Sequence, residues 1–379
     1  MKMLKTMKKT LSAFIVTGAL VMSGGVFTNL PTASIAYAAE ATVPVTLPKV
    51  EVIGTGGTIA GKSTNETSFT NYRAGTLLIE DMVKSLPNVD KMANVTTTQF
   101  GNKGSGGYTI PELFDLSLLV DEKLKTSDGV VVTTGTDTME EIAYFLDLTV
   151  QSNKPVVVTG SMRPWTVIGS DAQANLFNAI KLAGSKKTSK FGTVVMLNDS
   201  IFSARDVSKS NSYRVDTFEA NSGALGYIDG DNIKVYEAPA RALVKDEKWK
   251  TPFDLKTISK DEIARVEIVY SYQNAGGEAI KAFADAGVKG IVTAGTGAGG
   301  ISSAQGVERA AAIKNGVIFM STTRTGSGNV YSSGNGIISG DNLHAQHARM
   351  FLMLSLSFSS DFNQIKEWAS EYGAKEVEL

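Results

Sequence analysis

The chain has 379 residues, of which 42% are apolar, 20% charged and 37 are glycine; that length suits two domains with cores of their own, and that balance excludes disorder over most of the chain. Lys and Arg number 37 against 38 Asp and Glu, so no basic excess exists to attract nucleic acid, and a small molecule becomes the expected partner. The absence of cysteine excludes disulfides, thiol nucleophiles and thiolate zinc sites, and two histidines leave little room for histidine chemistry.

Lys2, Lys5, Lys8 and Lys9 precede an apolar stretch from Leu11 to Phe27, and Ala36-Tyr37-Ala38 has the small-x-small form of a cleavage site. Residues 1–38 are therefore expected to be a signal peptide, giving a secreted or extracytoplasmic protein. The mature chain would begin at Ala39 with 33 basic and 38 acidic side chains, a net charge of −5. No stable membrane anchor is expected after cleavage, because a spanning helix needs about 20 strongly apolar residues and this stretch is interrupted by Ser, Thr and Gly.

From Lys49 onward, short β-branched runs alternate with helical periodicity, which is the pattern of βαβ units. Strands are expected at 50–53, 129–133, 155–159 and 193–197. Met139, Ile142, Ala143, Leu146 and Val150 keep helical spacing, with Thr138 and Glu141 as a capping box, so Thr136 and Asp137 fall at a helix N-terminus. A second helix is expected at 172–183, preceded by Asp171 and closed by Gly184. Residues 238–262, dense in Lys, Asp, Pro and Thr, read as a linker. Strands follow at 265–270, 290–294 and 316–321, helices at 278–286 and 303–314, and closing helices from Asn342 and Asp361. The expected fold is α/β with two domains. A larger N-terminal catalytic domain (48–237) is built on a mostly parallel sheet with flanking helices, and a smaller parallel-sheet domain (263–379) follows.

Gly56-Gly57-Thr58-Ile59-Ala60-Gly61-Lys62-Ser63 satisfies the phosphate-loop pattern G-x-x-x-x-G-K-[ST]. Such a loop must open into a helix, whereas 64–71 is polar, β-branched and without helical period, so it reads as a mobile loop and nucleotide binding is not expected. His344 and His347 are three apart, but no helix-borne Glu completes a metal pattern, so they are expected to be ordinary packing or surface residues and no metal site is expected. An enzyme with this inventory needs a hydroxyl nucleophile activated by Lys, Tyr or Asp. Two strand ends meet that demand: Val52-Ile53-Gly54-Thr55-Gly56-Gly57-Thr58 and Val131-Val132-Thr133-Thr134-Gly135-Thr136-Asp137 both run into Gly/Thr turns. Open parallel sheets bind ligands at such strand ends.

Thr55-Gly56-Gly57-Thr58-Ile59-Ala60-Gly61, Thr134-Gly135-Thr136-Asp137-Thr138-Met139-Glu140-Glu141, Gly160-Ser161-Met162-Arg163-Pro164, and Asn198-Asp199 through Arg205-Asp206-Val207-Ser208-Lys209 occur in an order and spacing that resembles the type II bacterial L-asparaginases, from about Lys49 to the C-terminus. The resemblance implies a cofactor-free amidohydrolase converting L-asparagine and water to L-aspartate and ammonia, assembled as a homo-oligomer, most simply a tetramer. It implies Thr58 as nucleophile, with Tyr72 on the adjoining loop helping to take its proton. Thr136, Asp137 and Lys209 would form a second cluster, Lys209 easing proton transfer through Thr136 and Asp137 holding the substrate α-ammonium. Ser105 would bind the α-carboxylate, with Gly106 and Ser161 in the substrate site and Asn274 contributed across a dimer interface. Two departures stand out. Many members have Gln where this chain has Gly106, and residues 324–335 contain no Asp or Glu to match the acidic residue that some members lend to a neighbouring subunit. A glutaminase–asparaginase of broader specificity and a secreted amino-acid-binding protein are the alternative readings.

Overall fold

The structure, a computed structural model, describes residues 46–243, 249–331 and 333–374. The expected signal peptide lies outside the described residues.

Strands β1 (Lys49–Gly56), β2 (Lys62–Ser63), β3 (Tyr72–Arg73), β4 (Asn94–Lys103), β5 (Gly129–Thr133), β6 (Val156–Thr159), β7 (Thr193–Leu197), β8 (Ser200–Ser203), β9 (Val207–Lys209), β10 (Phe218–Ala220), β11 (Gly226–Asp229) and β12 (Asn232–Val235) fill the first part of the chain. Helices α1 (Ile79–Ser85), α2 (Ile110–Leu124), α3 (Met139–Thr149), α4 (Ala172–Ser185) and α5 (Ala240–Leu243) alternate with them. After these come β13 (Val266–Tyr270), α6 (Glu278–Asp285), β14 (Gly290–Gly295), α7 (Ser303–Lys314), β15 (Ile318–Thr323), β16 (Ile337–Ser339), α8 (Ala345–Phe358) and α9 (Phe362–Trp368).

The large sheet has the order β12-β11-β8-β7-β6-β5-β1-β4 and the small one β13-β14-β15-β16. In the large sheet β4, β1, β5, β6 and β7 are mutually parallel, and β8, β11 and β12 extend it antiparallel. The small sheet is parallel throughout. Buried on both faces, the parallel strands read as unbroken apolar runs such as Val130-Val131-Val132. After β1 the chain goes to one side of that strand for β4 and then to the other side for β5. The carboxyl ends of β1 and β5 therefore flank a topological switch point, where a crevice opens above an α/β sheet.

One apolar core runs from α2 and α3 under the large sheet, through α8, to the small sheet. A second lies between the opposite face of the large sheet and α1 and α4, and a third between the small sheet and α6 and α7. The segment expected as a linker is threaded into the first core by Phe253 and Leu255, Phe253 meeting Phe351 and Trp368 edge to face, while Trp249 is buried against Arg241. Its polar composition hid three apolar anchors.

Several local expectations are corrected. Thr138 precedes α3 without a side-chain cap; its own N–H is taken by the Ser105 hydroxyl at 3.1 Å. Helix α4 runs past Gly184 and stops at Lys186, whose φ of 59° turns the chain into the left-handed region. Its leading residue Asp171 accepts from the Met162 and Arg163 amides instead of capping its own helix. The phosphate-loop pattern falls on a 3-10 turn (Thr58–Ala60) followed by the β2–β3 hairpin, with no helix behind it. Residues 64–71, expected to be a mobile loop, form the exposed tip of that hairpin, and the Glu66 carbonyl accepts the Ile168 N–H at 2.8 Å.

Candidate active site

Two turns build the site. The first follows β1, where Gly56 and Gly57 have φ of 100° and 80°. A Cβ on Gly57 would stand 2.2 Å from the Gly135 backbone nitrogen in the turn after β5, so the two turns lie against each other and neither tolerates a side chain at the contact. Thr58 and Thr136, each one residue beyond these glycines, are thereby brought to the same crevice. Below them the Thr55 hydroxyl donates to the Thr133 carbonyl at 2.8 Å, and Tyr108 donates to the Thr55 carbonyl.

Thr58 Oγ1 is 2.8 Å from the Tyr72 hydroxyl, in a hydrogen bond that either atom can donate. The Tyr72 ring reaches that position over Gly61, where a Cβ would stand 2.9 Å from Cδ2. In the second turn, Lys209 Nζ donates to Thr136 Oγ1 at 2.9 Å and to Asp137 Oδ1 at 2.7 Å. The lysine is largely buried and the Asp137 side chain is 83% exposed, so the carboxylate stands at the mouth of a pocket lined by Asp137, Lys209, Ser210, Asn211 and Ser212. With one lone pair taken by the Lys209 ammonium, the Thr136 hydroxyl directs its own proton away from the lysine.

Ser105 is buried at the start of a 3-10 turn, and its Oγ already accepts the Thr138 N–H. Its own proton remains available to a ligand carboxylate, since a hydroxyl donates once and accepts twice. The same contact occupies the Thr138 N–H at the start of α3. Gly106 faces open space, with no atom within 4 Å of where its Cβ would lie. Ser161 is wholly buried and donates its proton to the Arg163 carbonyl at 2.5 Å, which leaves its oxygen free only to accept. Asn274 is exposed at φ 59° in the loop after β13, and no hydrogen bond among the described residues joins it to the two threonine clusters.

A residue that sequence reasoning missed sits beside the second cluster. Glu140, in the first turn of α3, is 7% exposed; its Oε2 accepts the Lys209 backbone N–H at 2.6 Å and its Oε1 accepts from Gln346 Nε2 at 2.5 Å. Burial pushes its carboxyl above the usual range, while the two donors and the Lys209 charge oppose that rise. Its partners lie 69 and 206 residues away in the chain, so no local signal marks it. Among the described residues no group of three His, Asp or Glu could hold a metal ion. His347 is fully buried, 5.2 Å from the Tyr144 ring, and desolvation holds its pKa down to about 3.

Comparison with known proteins adds a family. Two family models match: asparaginase, N-terminal, over residues 49–241, and glutaminase/asparaginase C-terminal domain over residues 265–368. The chain is 41% identical over 333 residues to L-asparaginase 2 of Bacillus subtilis strain 168, covering 86% of this chain and 87% of that protein. It is 36% identical over 333 residues to a glutaminase-asparaginase of Acinetobacter glutaminasificans, covering 85% and 99%. The crystal structure of a probable cytoplasmic L-asparaginase from Campylobacter jejuni matches with a TM-score of 0.81 at 38% identity, over 86% of this chain and all of that one.

Proposed function

The chain belongs to the type II L-asparaginase family, and from that premise we propose how it hydrolyses L-asparagine to L-aspartate and ammonia. Thr58 Oγ1 attacks the side-chain amide carbon, its proton passing by way of the Tyr72 hydroxyl, which gives up its own as it accepts, to the amide nitrogen. The C–N bond then breaks, ammonia leaves with a proton, and the aspartyl group stays on Thr58 as an ester. Water then attacks that ester, its proton passing by way of the Thr136 hydroxyl, which the Lys209 ammonium polarises, to Thr58 Oγ1 as the ester bond breaks and L-aspartate leaves. Asp137 accepts the substrate α-ammonium at the pocket mouth and Ser105 donates to the α-carboxylate. The observation that carries this reading is the pair of hydroxyl contacts, Thr58 with Tyr72 at 2.8 Å and Thr136 with Lys209 at 2.9 Å, on two turns that touch. They supply a nucleophile and a proton path without histidine, thiol or metal.

Ammonia release from purified mature chain, with asparagine and glutamine side by side, tests the activity and its specificity together. The glutaminase–asparaginase alternative requires comparable kcat/KM for both. A secreted amino-acid-binding protein would bind asparagine and release nothing.

Export and assembly belong to the same proposal. The basic head, apolar stretch and Ala36-Tyr37-Ala38 support removal of residues 1–38 on the way out of the cytoplasm; N-terminal sequencing of the exported protein should begin at Ala39. Asn274, exposed and without a partner in its own site, supports completion of the site by a second copy in a tetramer. Sedimentation at assay concentration tests this, and a fully active monomer contradicts it.

A further inference from the structure

The geometry points to Glu140 as the positioning residue for Lys209. We propose that its buried carboxylate fixes the lysine against Thr136 and Asp137 by tying strand β9 to both α3 and α8. The inference rests on the reading that Lys209 acts in catalysis.

Lys209 ends β9, three residues long, which among the described residues pairs only with the equally short β10. A two-stranded ribbon of that length is marginal by itself and must be held by what it packs on. Val207 is buried in the core at one end of β9. At the other end the Lys209 N–H goes to Glu140 Oε2. A lysine side chain has four rotatable bonds, and placing its Nζ within 3 Å of two acceptors at once demands that its backbone be fixed first. Glu140 does this from the first turn of α3, three residues after Asp137, so the lysine and its two acceptors are referred to one helix N-terminus.

The second oxygen carries the tie further. Gln346, in the first turn of α8, donates to Glu140 Oε1, and α8 packs on the small sheet as well as on α3. Both neighbours of Glu140 are donors, so the position requires a side chain that accepts twice; a carboxylate has that capacity and carries no proton to misdirect. Glu140 touches neither Nζ nor the reacting hydroxyls. Its action is through the Lys209 backbone.

A double-mutant cycle on the full-length mature enzyme tests this, using Glu140→Ala, Glu140→Gln, Lys209→Met and the Glu140→Ala/Lys209→Met pair, with asparagine as substrate. Glu140→Ala should lower kcat at least tenfold with little change in KM. Glu140→Gln should recover to within about threefold of the unmodified enzyme, because its Oε1 still accepts the Lys209 N–H and the Gln346 amide can turn over to accept from its nitrogen. In the Lys209→Met background, Glu140→Ala should cost nothing further, since the effect travels through a lysine no longer there. An equal cost in both backgrounds would show a general structural role and overturn the proposal. Unchanged kcat in Glu140→Ala, with Lys209→Met inactive, would overturn the positioning role and leave the catalytic reading of Lys209 standing. Near-normal turnover in Lys209→Met would overturn both. If Glu140→Ala fails to fold, Gln346→Ala takes its place in the cycle, with a smaller loss expected and the same disappearance in the Lys209→Met background.

Discussion

Gly57 and Gly135 touch backbone to backbone, and that contact sets the distance between the two halves of the site. A Cβ on Gly57 would stand 2.2 Å from Gly135 N and 2.4 Å from its Cα, and the Gly57 φ of 80° disfavours any side chain. Gly57→Ala should therefore destabilise the protein by at least about 2 kcal/mol. It should also lower turnover by about 100-fold, as Thr58 is displaced from Tyr72 and from the second turn. Thermal unfolding and kcat measured on the same preparation check it; normal values of both would mean the turns are free to separate.

Gly106 gives the opposite expectation. Its surroundings are open and its φ lies outside the left-handed region, so Gly106→Gln should leave stability within about 0.5 kcal/mol. Asparagine and glutamine differ by one methylene, worth about 1–3 kcal/mol or roughly 10–200-fold in kcat/KM. The unmodified enzyme should prefer asparagine by the upper part of that range. Glutamine must be compressed to react and depends more on anchoring of its amino-acid end, so an added amide beside Ser105 should raise relative glutaminase activity. An unchanged ratio would place selectivity elsewhere.

His347 makes stability fall with acid. Its folded-state pKa of about 3 lies below the ordinary 6.5 because desolvation, then the His344 and Arg205 charges, oppose protonation. The unfolded chain takes up a proton below about pH 6.5 that the folded chain refuses until about pH 3. The His347 contribution is thus complete above pH 6.5 and is lost as pH falls through that window, by on the order of a few kcal/mol. Denaturant titrations between pH 7 and pH 4 should show this slope, and His347→Phe should flatten it. A His347 imidazole that titrates near pH 6.5 by NMR in the folded protein would contradict the account.

The positions of β1, β5, β6 and β7, like those of β14 and β15, were legible because these strands are buried on both faces and stand out from the helices between them; β4, ten residues of mostly polar sequence, was not, and the order of strands across each sheet came only with the structure. The antiparallel extension through β8, β11 and β12 was not legible, because those short strands are each buried at no more than two of their four residues and show no apolar run like that of β6. The turn into β8 did carry a signal: Asn198 and Asp199 adopt φ of 47° and 61° in a two-residue hairpin. In the site, the glycine-threonine turns declared themselves through strand-end chemistry. The Lys209 contact spans 73 residues to Thr136, and only the resemblance to known enzymes joined them beforehand. Glu140 was legible as part of the Thr134–Glu141 block but not as a site residue, because a helix-borne Glu reads as solvated until its distant donors are in place. Ser161 was legible as part of a block but not as a hydroxyl whose proton is held within its own turn.

The central claim is that Thr58 attacks the amide. The most direct measurement is steady-state turnover of asparagine by folded Thr58→Ala, with aspartate binding measured by calorimetry on the same sample. The account predicts that turnover falls by about a thousandfold or more while aspartate still binds, because Asp137 and Ser105 hold the amino-acid end without the Thr58 hydroxyl. Near-normal turnover in the folded variant would contradict it and pass the nucleophile's role to Thr136.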